Sequence, residues 1–566
     1  MKRLKVLGIA TAALCAAVLL FVVAVLPPRA ARLDPAPQPA SPRPTIVGAF
    51  HVHSVLSDGT GTREEVAAAA RRAGLSFVIF TDHGNGTREP QAPAYRSGVL
   101  CVDGVEISTD AGHYAAIGMR QSPYPLGGEA RDVIEDVRRL DGFGVAAHPD
   151  SPKPSLRWRE WAAPFDAIEW LNADSAWRDE RGPGLAMVLL SYPFRGPEAL
   201  ASMLARPEDT LARWDSVTRQ RRVVGLAGAD AHARMGWRGG GDPYQQGAAL
   251  RAPSYETAFR AFALRLQIDR PLVGRAGADA VTLRAALAGG HLYSAIDGLA
   301  GPADFDFTAQ SGVHSARMGD ELQLGGAVEL RARVNAPAAT LALLEGGRIV
   351  ARGASPLVYR AAERPAVFRV EAALPSAPGH PPIPWIVSNP IYVGGLVHPR
   401  VERPRAPLAR TVAIAGPWAV EHAATSSGVA AQDGSGGVSL QYVLAPGPRA
   451  SQFAALATGV LGLAQYDRLQ LRARADRPMR VSVQWRVPGA GNDERWQRSV
   501  YVSQEPRDIT IFLDDLRPIG ATSAPRPDLD KVRSLLFVVD TVNSAPGASG
   551  WFKLESVALG SAERKE

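Results

Sequence analysis

The sequence predicts a multidomain protein, with an N-terminal transmembrane helix, then an α/β barrel, then two all-β sandwich domains. Three observations carry that expectation. An uncharged run of 21 residues, Val6–Leu26, opens the chain. From Thr45 to about residue 300, short β-branched or apolar runs alternate with amphipathic stretches, the pattern of repeated βα units. After about Gly301 the texture changes to alternating strands punctuated by Gly and Pro. At about 100 to 200 residues per domain, 566 residues have room for all of these units. Hydrophobic residues are 46% and charged residues 21% of the chain, a globular composition that excludes wholesale disorder. The net charge is +7, but only six of the 63 basic residues are Lys. The excess is scattered Arg, not the clustered stripe of a dedicated nucleic-acid binder. Two cysteines, Cys15 and Cys101, exclude a disulfide framework.

Taken in order, Lys2, Arg3 and Lys5 precede the apolar run, and about 20 apolar residues suffice to cross a bilayer as a helix. Pro27, Pro28 and Arg29 follow it in place of a small-x-small cleavage site, which favours an uncleaved signal anchor (1–26) over a cleaved signal peptide. The basic residues would stay cytoplasmic, leaving the rest of the chain periplasmic or otherwise extracytoplasmic. Residues 27–44 read as a Pro-rich, semi-rigid linker. In the barrel region, 45–300, Ile46–Val52 is a strand, Thr62 and Glu65 form a capping box, 63–73 is a helix ended by Gly74, and 75–80 is the next strand. Further strands are expected at 99–106, 143–147, 167–171 and 223–227. Residues 301–400 read as a small β-sandwich and 401–566 as a jelly-roll sandwich.

The chemistry is concentrated in the barrel region. His51, His53, His83, His113 and His148 lie at or just beyond the ends of expected strands, and His232 closes the group. Asp58, Asp82, Glu106 and Asp230 occupy the same places. In α/β barrels the C-terminal strand ends are where functional side chains converge. Imidazole plus carboxylate, without thiolate, suits Zn2+, Mn2+ or Fe2+. Two residues apart on a strand point to one face, so His51 and His53 are placed to grip one ion together.

HVHSVLSDG (51–59), FTDHG (80–84), GVEIS (104–108), AAHPD (146–150) and GADAH (228–232) resemble, in order, the motifs of the PHP (polymerase and histidinol phosphatase) superfamily. The resemblance spans residues 45–300, about half the chain. It implies a distorted seven-stranded β/α barrel and a metal-dependent phosphoesterase with two or three divalent ions per chain. By position, one ion would be held by His51, His53, Glu106 and Asp230. A second would share Glu106 and take His148 with His113, and a third would use Asp58, His83 and His232. Glu106, Asp230 and His148 are the implied catalytic residues, and Asp82 is expected to orient a neighbouring ligand. Adjacent divalent ions lower the pKa of a bridging water and neutralise phosphoryl charge, so hydrolysis of a phosphomonoester or phosphodiester is the natural reaction. The substrate would be a phosphorylated small molecule or envelope component. The alternatives are amide or other hydrolysis on the same cluster, or a non-catalytic envelope-binding protein.

Weaker signals remain. Arg157, Arg178 and Arg234 sit in loops where a phosphate-binding cation would be useful, with a surface role as the plainer reading. Glu169 and Asn172 could line the pocket or support its rim, and His291 caps the last barrel strand. Trp418, Tyr442, Tyr466, Trp485, Trp496, Tyr501 and Trp551 read first as sandwich core and second as a glycan-stacking platform, since the region resembles galactose-binding-like jelly rolls.

Overall fold

The structure, a computed structural model, describes residues 26–34, 40–179, 182–234, 251–397, 405–434, 436–447, 452–489 and 493–562. The transmembrane helix is corrected, and with it the membrane anchor and the extracytoplasmic placement that rested on it. Among the described residues no helix is long and apolar enough to cross a membrane, and the run at 6–26 lies outside them except for Leu26. The 21-residue helix Gly182–Ser202 has the length but carries Arg195 and Glu198, encloses Pro193 and Pro197, and kinks at Arg195. A spanning helix needs about 20 predominantly apolar residues. Ala31–Arg32, in the Pro-rich stretch, pairs in parallel with Ala300–Gly301.

The chain divides into two compact units, the first from the described parts of Met1–Gly84, Glu89–Arg120 and Val137–Arg400, the second from Asn85–Arg88, Gln121–Asp136 and Val401–Glu566. In the first, β1 (Thr45–Val52) is parallel to β2 (Phe77–Phe80), which runs on past Thr81 into β3 (His83–Gly84). β2 is parallel to β4 (Val99–Val102), and β3 to β5 (Gly104–Thr109), which follows β4 after Asp103. β5 and β6 (Gly112–Ile117) form an antiparallel hairpin, and β6 is antiparallel to β7 (Phe143–Ala146). β8 (Ala167–Asn172) is parallel to both β7 and β9 (Val224–Gly228). The chain after β9 returns to β1 through Ala229 N to Phe50 O (2.9 Å), Ala231 N to His51 O (3.1 Å) and His53 N to Ala231 O (3.0 Å), which closes the circuit. Phe50, Phe77, Phe80, Tyr114 and Trp170 are buried within this unit.

Local chemistry explains the first βα unit. Thr62 accepts from the Glu65 amide while the Glu65 side chain accepts from the Thr62 amide, and the helix α1 (Arg63–Arg72) buries Val66, Ala67, Ala69 and Ala70. Glu64 and Glu65 stand in its first turn and Arg71 and Arg72 in its last, matching the helix dipole. Gly74, at φ +81, lets the chain reverse into β2.

The first half of β1 pairs antiparallel with β10 (Ala263–Gln267), which pairs with β11 (Leu292–Ala295). β12 (Phe305–Ser311) and β13 (Val328–Val334) belong to a separate four-stranded sheet, whereas β14 (Ala366–Ala373) and β15 (Ile386–Ser388) extend the barrel sheet through β11. The stretch after residue 301 is thus joined to the barrel sheet through β14 and β15. In the second unit two six-stranded sheets enclose a core containing Trp485, Trp496, Phe537, Phe552 and Tyr442, with Trp418 and Tyr466 packed against it. Most of the aromatics noted in the sequence therefore build core, while Tyr501 and Trp551 lie outside that cluster.

Candidate metal centre

All nine expected ligands converge at one end of the barrel, in four overlapping groups whose ligand atoms lie within 4.8 Å of one another. The groups are His53, Asp58, His83 and His232; His51, Glu106 and His148; His51, His53 and Asp230; and His83, Glu106 and His113. Glu106 lies at the middle. Its Oε1 faces His113 Nδ1 at 2.7 Å and His148 Nε2 at 2.9 Å, and its Oε2 faces His51 Nε2 and His53 Nε2 at 3.2 Å and His83 Nδ1 at 3.3 Å. Asp230 Oδ1 faces His53 Nε2 at 3.4 Å and His51 Nε2 at 3.5 Å. Asp58 Oδ2 faces His232 Nε2 at 3.2 Å and His83 Nε2 at 3.7 Å.

The backbone reaches this arrangement by departing from regular strands. His51 (φ +63), His148 (φ +39) and Asp230 (φ +44) occupy the left-handed region, which costs a non-glycine residue of order 1–3 kcal/mol. At His51 the pairing of β1 with β2 slips between Ala49 and Val52. The convergence of His51 and His53 is therefore the work of a bulge and not of simple strand alternation. His113 needs a second adjustment to its expected place. It stands near the start of β6, opposite Ser108, and reaches the site because β6 runs antiparallel to β5, bringing its beginning to the rim where β5 ends.

Four rings are anchored through Nδ1, so that Nε2 is left to face the cluster. His51 Nδ1 meets Glu169 Oε1 at 2.6 Å, His53 Nδ1 meets Ser57 Oγ at 3.3 Å, His148 Nδ1 meets Leu156 O at 3.3 Å, and His232 Nδ1 meets Asp230 O at 2.9 Å. A ring whose Nδ1–H donates outward presents a lone pair at Nε2, the tautomer a metal requires. His51 Nε2, His53 Nε2 and Glu106 Oε2 are buried without a hydrogen-bond partner. Such orphaned atoms are rare and call for an explanation. A divalent ion held between them would satisfy all three, so the donor set fits a metal.

The electrostatics agree. Burial alone would raise Glu106, yet His83, His51, His113 and His148 hold it well below the ordinary carboxylate range. Burial would likewise raise Asp230 and Asp58, but neighbouring histidines keep both low. Burial lowers His53, while the carboxylates of Asp230, Glu106 and Asp58 beside it outweigh burial and bring the ring to about 10. His148 reaches about 9, burial being overcome by Glu106, whereas burial leads at His83 and takes it down to about 4. The histidines thus favour the ionised form of the carboxylates, and a metal binding there would compete with protons at His53 and His148.

Behind the ligands stands a supporting layer. Glu169, fully buried, takes His51 Nδ1 on Oε1, and on Oε2 accepts from the His148 amide (2.8 Å) and Asn172 Nδ2 (2.9 Å). Asp82 accepts from Ser54 N (2.6 Å), Ser57 Oγ (3.0 Å) and Arg63 Nη2 (3.1 Å), so it steadies His53 through Ser57. Tyr255 Oη donates to His53 O at 2.8 Å from 202 residues away, a role that no local signal in the sequence announces. Gly228 is required by proximity: a Cβ there would lie 1.8 Å from Glu169 Oε1. Gly228→Ala is expected to push Glu169 off His51 and to destabilise the fold by about 1–3 kcal/mol, measurable as lower metal content with a lower denaturation midpoint.

The weaker candidates separate. Arg157 Nε donates to Ser151 O (2.6 Å), and His291 is paired with Asp320 (2.7 Å) and Arg317 (2.7 Å). Arg234 Nη1 approaches Asp58 O at 3.4 Å. Arg178 pairs with Asp174 one turn away on α2 (Ala173–Asp179), and burial, which would lower it, is outweighed by Asp174, Asp230 and Asp58. Of these candidates, Arg178 and Arg234 lie within electrostatic reach of the cluster, and Arg157 and His291 serve the scaffold.

No family model and no curated protein sequence matches the chain. Among solved structures, a two-domain protein from Bacteroides vulgatus ATCC 8482, described as containing a predicted PHP-like metal-dependent phosphoesterase, is similar at 14% identity over 64% of this chain and 99% of its own, with a TM-score of 0.31. The family 11 carbohydrate-binding module from Clostridium thermocellum, in complex with a β-1,3-1,4-mixed-linked tetrasaccharide, is similar at 16% identity over 26% of this chain and 91% of its own, with a TM-score of 0.22. A family 30 carbohydrate-binding module is similar at 13% identity over 25% of this chain and 76% of its own, with a TM-score of 0.19.

Proposed function

We propose that the protein is a metal-dependent phosphoesterase that hydrolyses a phosphomonoester or phosphodiester at the His–Asp–Glu cluster. The observation that carries this reading is Glu106, whose two oxygens face five imidazoles at 2.7–3.3 Å. A carboxylate so surrounded is suited to bridging two ions. Divalent ions bound there supply activation of water at neutral pH and charge neutralisation on phosphoryl oxygens. The chain's own residues hold and orient: His51, His53 and Asp230 on one side, His148 and His113 on the other, and Asp58, His83 and His232 as a third set. Glu106, Asp230 and His148 are the residues assigned to the reaction. Arg178 and Arg234 stand where they can attract an anionic substrate.

The test is metal analysis of the full chain, paired with hydrolysis of bis(p-nitrophenyl) phosphate and p-nitrophenyl phosphate with and without chelator. Two or three ions per chain and turnover abolished by chelator are expected. Bound metal with no turnover on either ester would transfer the reading to amide hydrolysis, and absence of bound metal would favour a binding protein. For the second unit, glycan binding is the further reading, and Tyr501 and Trp551 lie outside the core cluster, under the guanidinium groups of Arg507 and Arg474. Titration with glycans at millimolar concentration that gave no heat would remove it.

A further inference from the structure

Beside the metal cluster lies an apolar cleft. Asp230 and His232 form one wall. Leu200, Met203, Leu204, Ala258, Ala261 and Phe262 form most of the rest, all buried, and the half-buried Trp177 completes it. Polar groups are few: Asp174, already paired with Arg178, and Arg234. Such a cleft suits one kind of occupant. A sugar or other polyhydroxylated group placed there would lose its water without gaining partners, at a cost of a few kcal/mol for each unpaired hydroxyl. An aryl or alkyl group gains about 25 cal/mol for each Å2 of its surface removed from water. Because Asp230 and His232 line the cleft and also belong to the ligand groups, a phosphoryl group at the cluster would have its ester substituent next to this wall.

Resting on the phosphoesterase reading above, we propose that this cleft is the subsite for the alcohol portion of the substrate, and that this portion is apolar, an aryl or alkyl group. The cleft then determines specificity while the cluster performs the reaction. Small and polyhydroxylated phosphoesters are poor substrates by comparison.

The test compares benzyl phosphate with ethyl phosphate, whose alcohols are of similar acidity, using the full chain loaded with Mn2+. kcat/KM is expected to favour the benzyl ester by at least about tenfold, the scale on which a hydrophobic pocket discriminates. Ala258→Phe, which fills the cleft, is expected to bring the ratio close to one, with metal content and melting temperature showing that the variant is folded. Should that variant fail to fold, inhibition of the wild-type chain by benzylphosphonate and methylphosphonate gives an independent reading, with tighter binding expected for the benzyl compound. Phosphate release at equal efficiency from both esters, equal inhibition by the two phosphonates, or an unchanged ratio in folded Ala258→Phe overturns the subsite and leaves the phosphoesterase reading standing. Where only bis(p-nitrophenyl) phosphate is cleaved, the phosphonate pair decides the subsite, and no hydrolysis of any of the three esters overturns the phosphoesterase reading and the subsite with it.

Discussion

Glu106→Ala is expected to abolish phosphoester turnover and to lower bound metal together. Both carboxylate oxygens are committed, Oε1 to His113 and His148 and Oε2 to His51, His53 and His83. Removing the carboxylate takes the central negative charge from a site that packs six imidazoles with ring centroids 4.1–6.5 Å apart along the contacts between them. Loss of a group that only orients a ligand costs about 10- to 100-fold in metal affinity or activity, and loss of a shared ligand must exceed that. Turnover should therefore fall by more than about 100-fold, with fewer ions per chain by elemental analysis. Wild-type turnover in Glu106→Ala would refute the site.

Glu169→Gln is expected to weaken metal binding by about 10- to 100-fold without removing any ligand. The carboxylate accepts on both oxygens: His51 Nδ1 on one, the His148 amide and Asn172 Nδ2 on the other. An amide has one accepting oxygen. If that oxygen keeps His51, its NH2 is set against the His148 and Asn172 donors; if it turns to them, His51 loses its acceptor and its tautomer. Either way a buried donor is left unpaired, at about 1–3 kcal/mol. Metal titration by calorimetry, together with denaturant melts of the metal-free chain, separates the two effects. Unchanged metal affinity would show that the His51 tautomer is set by another group.

These two residues also mark how far the sequence could be read. Glu106 was legible as a candidate ligand because its motif stands among four others in an ordered series. Glu169 was visible only as one of several polar residues after a strand, because its partner His51 lies 118 positions away. Tyr255, holding the His53 carbonyl across 202 positions, gave no local sign.

The sequence by itself determined the short-range features. The capping box at Thr62 and Glu65, the helix ended at Gly74 and the strands at β7, β8 and β9 follow from dihedral preference and periodicity within a dozen residues. It also supplied the ligand types, since imidazole and carboxylate chemistry does not depend on the fold. Tertiary structure alone decided the rest. The bulge at His51 and the left-handed backbone at His148 and Asp230 are irregular, and they are held by distant parts of the chain, among them Glu169 on the His51 ring and on the His148 amide. The joining of β14 and β15 to the barrel sheet through β11 has the same origin. So does the commitment of most sandwich aromatics to core. Whether an alternating strand joins its own sandwich or a neighbour's sheet depends on which edge is open to it, and that is a property of the assembled fold.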